Sequence, residues 1–171
     1  RRGQGLAALS ARLMELHMRP APNGMDVDLA ARFDGLRLEA AMLAGGTVPP
    51  VSGAADIAWL GAATTPPRGL RGAKFEIRML ELTAANGARL SVRGRLSIGE
   101  DGLLDGELDV TADDAAALSE LLSGTFPDFA DRIETALSGL AALGPRPSLP
   151  LRIADGEMTL GFLPLGTVPA L

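Results

Sequence analysis

Five Asn-Gly or Asp-Gly pairs punctuate this chain: Asn23-Gly24, Asp34-Gly35, Asn86-Gly87, Asp101-Gly102 and Asp155-Gly156. Such pairs supply the positive φ that tight hairpin turns demand, and between alternating apolar runs they are a strong short-range hairpin signal. Parity then sets each loop length, because side chains alternate between faces and the apolar ones must meet on one face of the sheet.

Around Asp34-Gly35, a two-residue type I′ turn sets Phe33 against Leu36, Ala31 against Leu38 and Val27 against Met42, all apolar. Asp155-Gly156 reads the same way, with Ile153 facing Met158, Leu151 facing Leu160 and Leu149 facing Phe162. At Asn86-Gly87 a two-residue loop would set Leu82 against Ser91, whereas a three-residue loop with Gly87 left-handed sets Leu82 against Leu90. Glu100-Asp101-Gly102 likewise reads as a three-residue loop, pairing Ile98 with Leu104 and Val92 with Val110. Along Phe75–Leu82 the apolar phase changes between Met79 and Leu80, which calls for an inserted residue, a β-bulge.

Two helices interrupt this pattern. Thr111-Ala112-Asp113-Asp114 resembles a capping start, and Leu118, Leu121 and Leu122 form a stripe that Gly124 ends. Pro127 and Asp128 suit a first helical turn, and Phe129, Ile133, Leu137 and Leu140 recur at helical spacing up to Gly144-Pro145. The first 19 residues fit a helix by Leu6, Leu9, Leu13 and Leu16, or a strand by the alternation of Met14, Leu16 and Met18. A strand over Arg12–Arg19 after a loose segment is the preferred reading. The expected fold is mainly β (α+β): a twisted antiparallel meander of about seven strands over 12–111, a helical pair over 112–143, and a closing hairpin over 148–163. All 171 residues are taken as a single domain.

Composition narrows function by exclusion. Hydrophobic residues make up 47%, too many for disorder, and no apolar run approaches the roughly 18 to 20 residues that span a bilayer. Aromatics are 4%, with one Trp and no Tyr, which disfavours the stacking platforms that bind sugars or single-stranded nucleic acid. A net charge of −5 also opposes nucleic acid, since phosphate neutralisation needs a basic surface. The charge is uneven: residues 68–95 carry seven Arg or Lys against two Glu, and residues 100–134 carry eleven acids against one Arg. Cross-strand opposition of Glu76 with Arg95, Arg95 with Glu107 and Arg93 with Asp109 is expected to join the two segments, each pair worth at most about 1 kcal/mol.

No catalytic or metal-binding constellation stands out. One His and no Cys are available, short of a metal site, and His17 sits on the polar phase of its strand as a solvated residue. There is no Gly-x-Ser-x-Gly elbow and no phosphate-cradling loop, and Gly3-Gln4-Gly5 has no strand before it. Asp26 with Asp28, and Asp105 with Glu107 and Asp109, alternate along strands as a wet face does. A non-enzymatic chain without cofactor or metal is expected.

What remains is the apolar face. Phe75, Ile77, Met79, Val92, Leu96 and Leu108 project one way from three neighbouring strands. They are the candidate lining of a trough for acyl chains, which aliphatic walls suit better than they suit a polar metabolite. The alternative is a structural or assembly protein, in which the two helices cover that face and it serves as core.

The stretch Leu149-Pro150-Leu151-Arg152-Ile153-Ala154-Asp155-Gly156-Glu157-Met158-Thr159-Leu160-Gly161, followed by Pro164-Leu165-Gly166 and Pro169, resembles the ending of an alphaproteobacterial envelope family. That family is known as domain of unknown function 2125. Leu16-His17-Met18-Arg19-Pro20 and Ala55-Asp56-Ile57-Ala58-Trp59 are similar to it too, so the likeness covers nearly the whole chain on short, turn-like motifs. The resemblance implies a periplasmic protein, held at the inner membrane by an N-terminal anchor that would precede Arg1. It also implies a distant likeness to AsmA-type proteins, whose long sheets form apolar lipid-conducting grooves. Lipid or another envelope protein is then the expected partner, and the family brings no catalytic residues.

Overall fold

A computed structural model describes residues 8–39, 49–64, 69–125, 127–141, 144, 146 and 148–171. Among the described residues ten strands form one antiparallel sheet: β1 Ala8–Ser10, β2 Leu13–Pro20, β3 Val27–Glu39, β4 Val51–Trp59, β5 Lys74–Ala84, β6 Arg89–Ile98, β7 Leu104–Ala112, β8 Ser148–Ala154, β9 Glu157–Leu160 and β10 Leu163–Thr167. Strand order follows chain order, with β1 and β2 lying end to end along the same edge of β3. Helices α1, Ala115–Thr125, and α2, Ala130–Ala141, joined through a 3-10 turn at Pro127–Phe129, are inserted between β7 and β8.

Three of the turn readings hold. Leu82 pairs with Leu90 across a three-residue loop in which Gly87 has φ 89°. Ile98 pairs with Leu104 and Val92 with Val110 across a loop in which Gly102 has φ 86°. Asp155 and Gly156, at φ 51° and 80°, form a type I′ turn that pairs Ile153 with Met158 and Leu151 with Leu160. The expected Leu149–Phe162 pair does not form. β9 stops at Leu160, and a Gly161-Phe162 turn leads into β10, leaving Phe162 exposed at its tip.

Asp34-Gly35 is not a turn. β3 runs through it, with Phe33 opposite Gly53 and Leu36 opposite Val51, so the extra residues make a bulge. Met42, expected opposite Val27, lies outside the described residues. The hairpin turn is at Asn23-Gly24 instead, where the Asn23 side-chain oxygen accepts the Met25 and Asp26 N–H groups. The Asn23-Gly24 turn lays β2 along β3, so Leu29, Ala31 and Phe33 find Met18, Leu16 and Met14 rather than residues downstream. The bulge is clamped from both neighbours. Ser52 Oγ donates to Asp34 at 2.6 Å and accepts the Gly35 N–H at 3.1 Å, and Arg12 pairs with Asp34 at 3.0 Å. The gap between β1 and β2 falls opposite this bulge, so the first segment is not wholly loose: Ser10 pairs with Arg37.

The phase break in β5 is also a bulge, set one residue earlier than the sequence indicates. Ile77 pairs with Ile57 and Met79 with Asp56, which leaves Arg78 as the inserted residue. The two helices fall within the expected 112–143, at 115–125 and 130–141. Asp114 accepts the Ala116 and Ala117 N–H groups as the cap of α1, and α1 runs one residue past Gly124.

The helices pack over the C-terminal half of the sheet. Leu118, Ile133 and Leu137 bury themselves against Ala112, Leu149, Leu160, Leu163 and Leu165. Leu121 packs on Ala84 and Ala88 at the β5–β6 turn, where the Asn86 side-chain amide donates to the Ala117 carbonyl at 3.2 Å.

Candidate functional site

Period-two alternation gives the sheet one apolar and one charged face. On the apolar face Ile77, Val92, Leu96 and Leu108 come together as expected, in one cluster with Leu80, Leu104 and Ile153. Ile77, Val92 and Leu108 are each only 8% exposed, so the centre of the expected trough is packed shut. Phe75 is half-buried, its ring 5.3 Å from that of Trp59 on β4. Met79 stands apart: it pairs with Asp56 and belongs to none of the described clusters, while Leu80 takes the apolar place opposite Val92.

The open part of the face lies toward the N-terminus. Met14, Leu16 and Met18 of β2 stand beside Phe33, Ala31 and Leu29 of β3, and these stand beside Gly53, Ala55 and Ile57 of β4. No polar side chain interrupts these rows. Met14, Leu16 and Met18 are 56%, 62% and 59% exposed, Leu29 and Ile57 are half-exposed, and Phe33 and Ala55 between them are buried. Among the described residues, none of the apolar clusters takes in a residue of β2 or β3. The sequence marked Met14, Leu16 and Met18 as one strand face. It carried no signal that the helices would land at the other end of the sheet.

On the opposite face Glu76, Arg95, Glu107 and Arg152 lie directly across from one another through β5, β6, β7 and β8. Glu76, Arg95 and Glu107 form the expected row, and Arg152 of β8 extends it, closing on Glu107 at 2.9 Å. The row lies in a broad, open concavity of about 1250 Å³ that also takes in Lys74, Asp105 and Asp109. This concavity is lined by charges of both signs together with the candidate residues Phe75, Leu96 and Leu108.

The two acidic groupings have structural tasks. Asp26 sits in the β2–β3 loop rather than on a strand. The Gly61 N–H, at 2.7 Å, and then the Asn23 amide hold its carboxyl below the usual range. At the bulge, the Ser52 hydroxyl and then Arg12 lower Asp34 in the same way. Asp28, nearly buried, receives Arg78 at 2.7 Å and Arg19 at 3.5 Å, and Arg78 also reaches Asp56 at 3.1 Å. The bulge extrudes Arg78 so that its guanidinium bridges β3 and β4, and the Asp28 bond pushes its pKa up. Asp105 accepts the Asp155 N–H at 2.9 Å, and His17 is exposed on β2. Among the described residues no group of three His, Asp or Glu could hold a metal ion, and no helix is long and apolar enough to cross a membrane.

These features define a class: an open, sequentially wound antiparallel sheet whose apolar face, among the described residues, carries its helices at one end. The model of a family described as an uncharacterised protein conserved in bacteria, domain of unknown function 2125, matches residues 1–169, and the chain belongs to that family. No curated protein and no solved structure matches it.

Proposed function

We propose that this chain is a non-enzymatic envelope protein that holds lipid acyl chains on the open apolar face of β2–β4. One observation carries the reading: adjoining strands present an apolar surface without a polar side chain, and its edge row is more than half exposed. Contiguous exposed apolar area of this kind is uncommon on a monomer and marks a binding surface. The setting that accompanies it, on the family resemblance, is the periplasm with attachment to the inner membrane, which cell fractionation tests.

The alternative structural or assembly role is favoured by the closure around Ile77, Val92 and Leu108, which is what an ordinary core looks like. Native mass spectrometry of detergent-free protein separates the two. Co-purified phospholipid or fatty acid is expected, together with binding of a fluorescent acyl probe. Leu29→Asp should abolish probe binding while the thermal melt is retained, because water reaches the new carboxylate. Wild-type protein free of lipid and blind to the probe leaves the structural role standing.

A further inference from the structure

The free edge of β2 has its own logic. All eight of its residues are exposed, and among the described residues no strand pairs with its outer side. An unpaired edge of this length presents a row of unused N–H and C=O groups, and folds that leave one usually blunt it with bulges or inward charges. β2 pairs with β3 without a bulge from Leu13 to Pro20, and its apolar row of Met14, Leu16 and Met18 contains no charge.

The direction of its peptide groups follows from one bond. Ala21 N–H donates to the Asp26 carbonyl, one step beyond the Pro20–Val27 pair. Antiparallel ladders alternate bonded and non-bonded pairs, so Arg19, His17, Glu15 and Leu13 turn their peptides toward β3. Met14, Leu16 and Met18 turn theirs outward. Pro20, which lacks an N–H, falls on an outward position, where edge strands tolerate it.

We propose that this edge pairs with β2 of a second copy, antiparallel, about a two-fold axis through His17. In that register Leu16 opposes Met18 of the second copy, and the reverse, with outward peptides meeting outward peptides as bonded pairs. Glu15 opposes Arg19 of the second copy twice, at non-bonded positions where side chains approach most closely. Faces are conserved, so the apolar row continues across the axis from one copy to the next. Shifting the register by one residue in β2 opposes apolar to polar side chains. Shifting it by two keeps the faces but replaces both Glu15–Arg19 oppositions with Glu15–His17 and Leu13–Arg19. Charge complementarity selects the axis at His17. The pairing is independent of what occupies the apolar face.

Cysteine cross-linking tests the register cleanly because the chain has no Cys. His17→Cys places its thiol opposite its own copy, within reach of a disulfide, so mild oxidation should give a covalent dimer on a non-reducing gel. Leu16→Cys, about two residues out of register with itself, should remain largely monomeric. In sedimentation equilibrium Glu15→Arg should weaken self-association by about tenfold or more, since two attractive oppositions become repulsive. Mixing Glu15→Arg with Arg19→Glu should restore association between unlike copies, with melts confirming that each variant folds. Cross-linking through Leu16→Cys but not His17→Cys overturns the axis. Wild-type protein that stays monomeric at about 100 μM, well above the dissociation constant a stable pair needs, overturns the proposal.

Discussion

The two halves of this sheet start from the same pattern and end differently. In β6–β10 the residues Leu90, Ala112, Leu149, Leu160, Leu163 and Leu165 are met by α1 and α2, with Ile133 and Leu137 almost fully buried between helices and sheet, whereas Val92, Leu108 and Ile153 close among strand residues alone. In β2–β4 the same alternation yields Met14, Leu16, Met18, Leu29 and Ile57, exposed or half-exposed. Alternation specifies which face is apolar. It does not specify whether that face is closed. Closure around Leu149 and Leu160 depends on where a 27-residue helical insertion, 115–141, settles, while closure around Val92 and Leu108 comes from neighbouring strands.

The sharpest way to break this contrast is to place one charge in each half. Val92→Asp strands a carboxylate without partners and should cost several kcal/mol, enough to unfold the protein in a denaturant melt. Leu16→Asp, on the open edge, should change stability by no more than about 0.5 kcal/mol. Equal losses from the two would mean that the open half is covered in solution. Next in size is Leu137→Ala, which leaves a cavity between helix and sheet and should cost about 2–5 kcal/mol. A change under about 1 kcal/mol would show that the helices are not the cover they are taken for.

A smaller effect resolves the covered half further. Gly87 and Gly102 both have positive φ, so alanine at either should cost about 1–2 kcal/mol. A Cβ at Gly87 meets open space, whereas one at Gly102 collides with the Leu171 backbone carbonyl, so Gly102→Ala should be the worse of the two by urea melt. The smallest effect is acid sensitivity, and it belongs to the open half. Asp26 and Asp34 have folded pKa values below their ordinary 3.8. Their contribution is therefore present above that value and is lost as pH falls through the lowered folded values. Hydrogen exchange below about pH 4 should rise in β2–β4 before β6–β8, and Asp26→Asn should flatten that dependence. Simultaneous opening of both halves would count against it.

What could be read from the sequence, and what could not, follows from the range over which each decision is made. The Asn86-Gly87 register was legible because the wrong loop length set Leu82 against a serine, a conflict visible within ten residues. Asp34-Gly35 offered no such conflict: Ala31 and Leu38 look as acceptable as Ala31 and Leu16. The deciding group, Ser52, comes from a strand that the sequence barely advertises. β4 reads Ser52-Gly53-Ala54-Ala55 where bulky β-branched residues would signal a strand. A Cβ on Gly53 would press on the Glu81 carbonyl and lie 3.1 Å from the Phe33 ring, so smallness there is a packing requirement. Of the candidate lining, Ile77, Val92, Leu96 and Leu108 share one face as read, whereas Met79, read with them, pairs with Asp56 instead because the inserted residue is Arg78. The open rows of β2 and β3 were missed because openness is a property of the helices' landing site.

The strictly sequential strand order has a consequence for how the molecule is made. Each lane of the sheet adjoins the lane synthesised just before it, with one helical detour before β8. Ring closures are short for an all-antiparallel sheet, and low contact order goes with fast assembly. The chain can grow lane by lane as it emerges, as stacked repeats do, each new strand templated on an edge already formed. The long return comes last: Leu171 donates its N–H to the Gly102 carbonyl, and Arg71 donates to the Leu171 carbonyl at 3.2 Å. Among the described residues the earlier half of the sheet is thus also the half that no helix covers, so whatever shields β2–β4 must come from outside the described lanes.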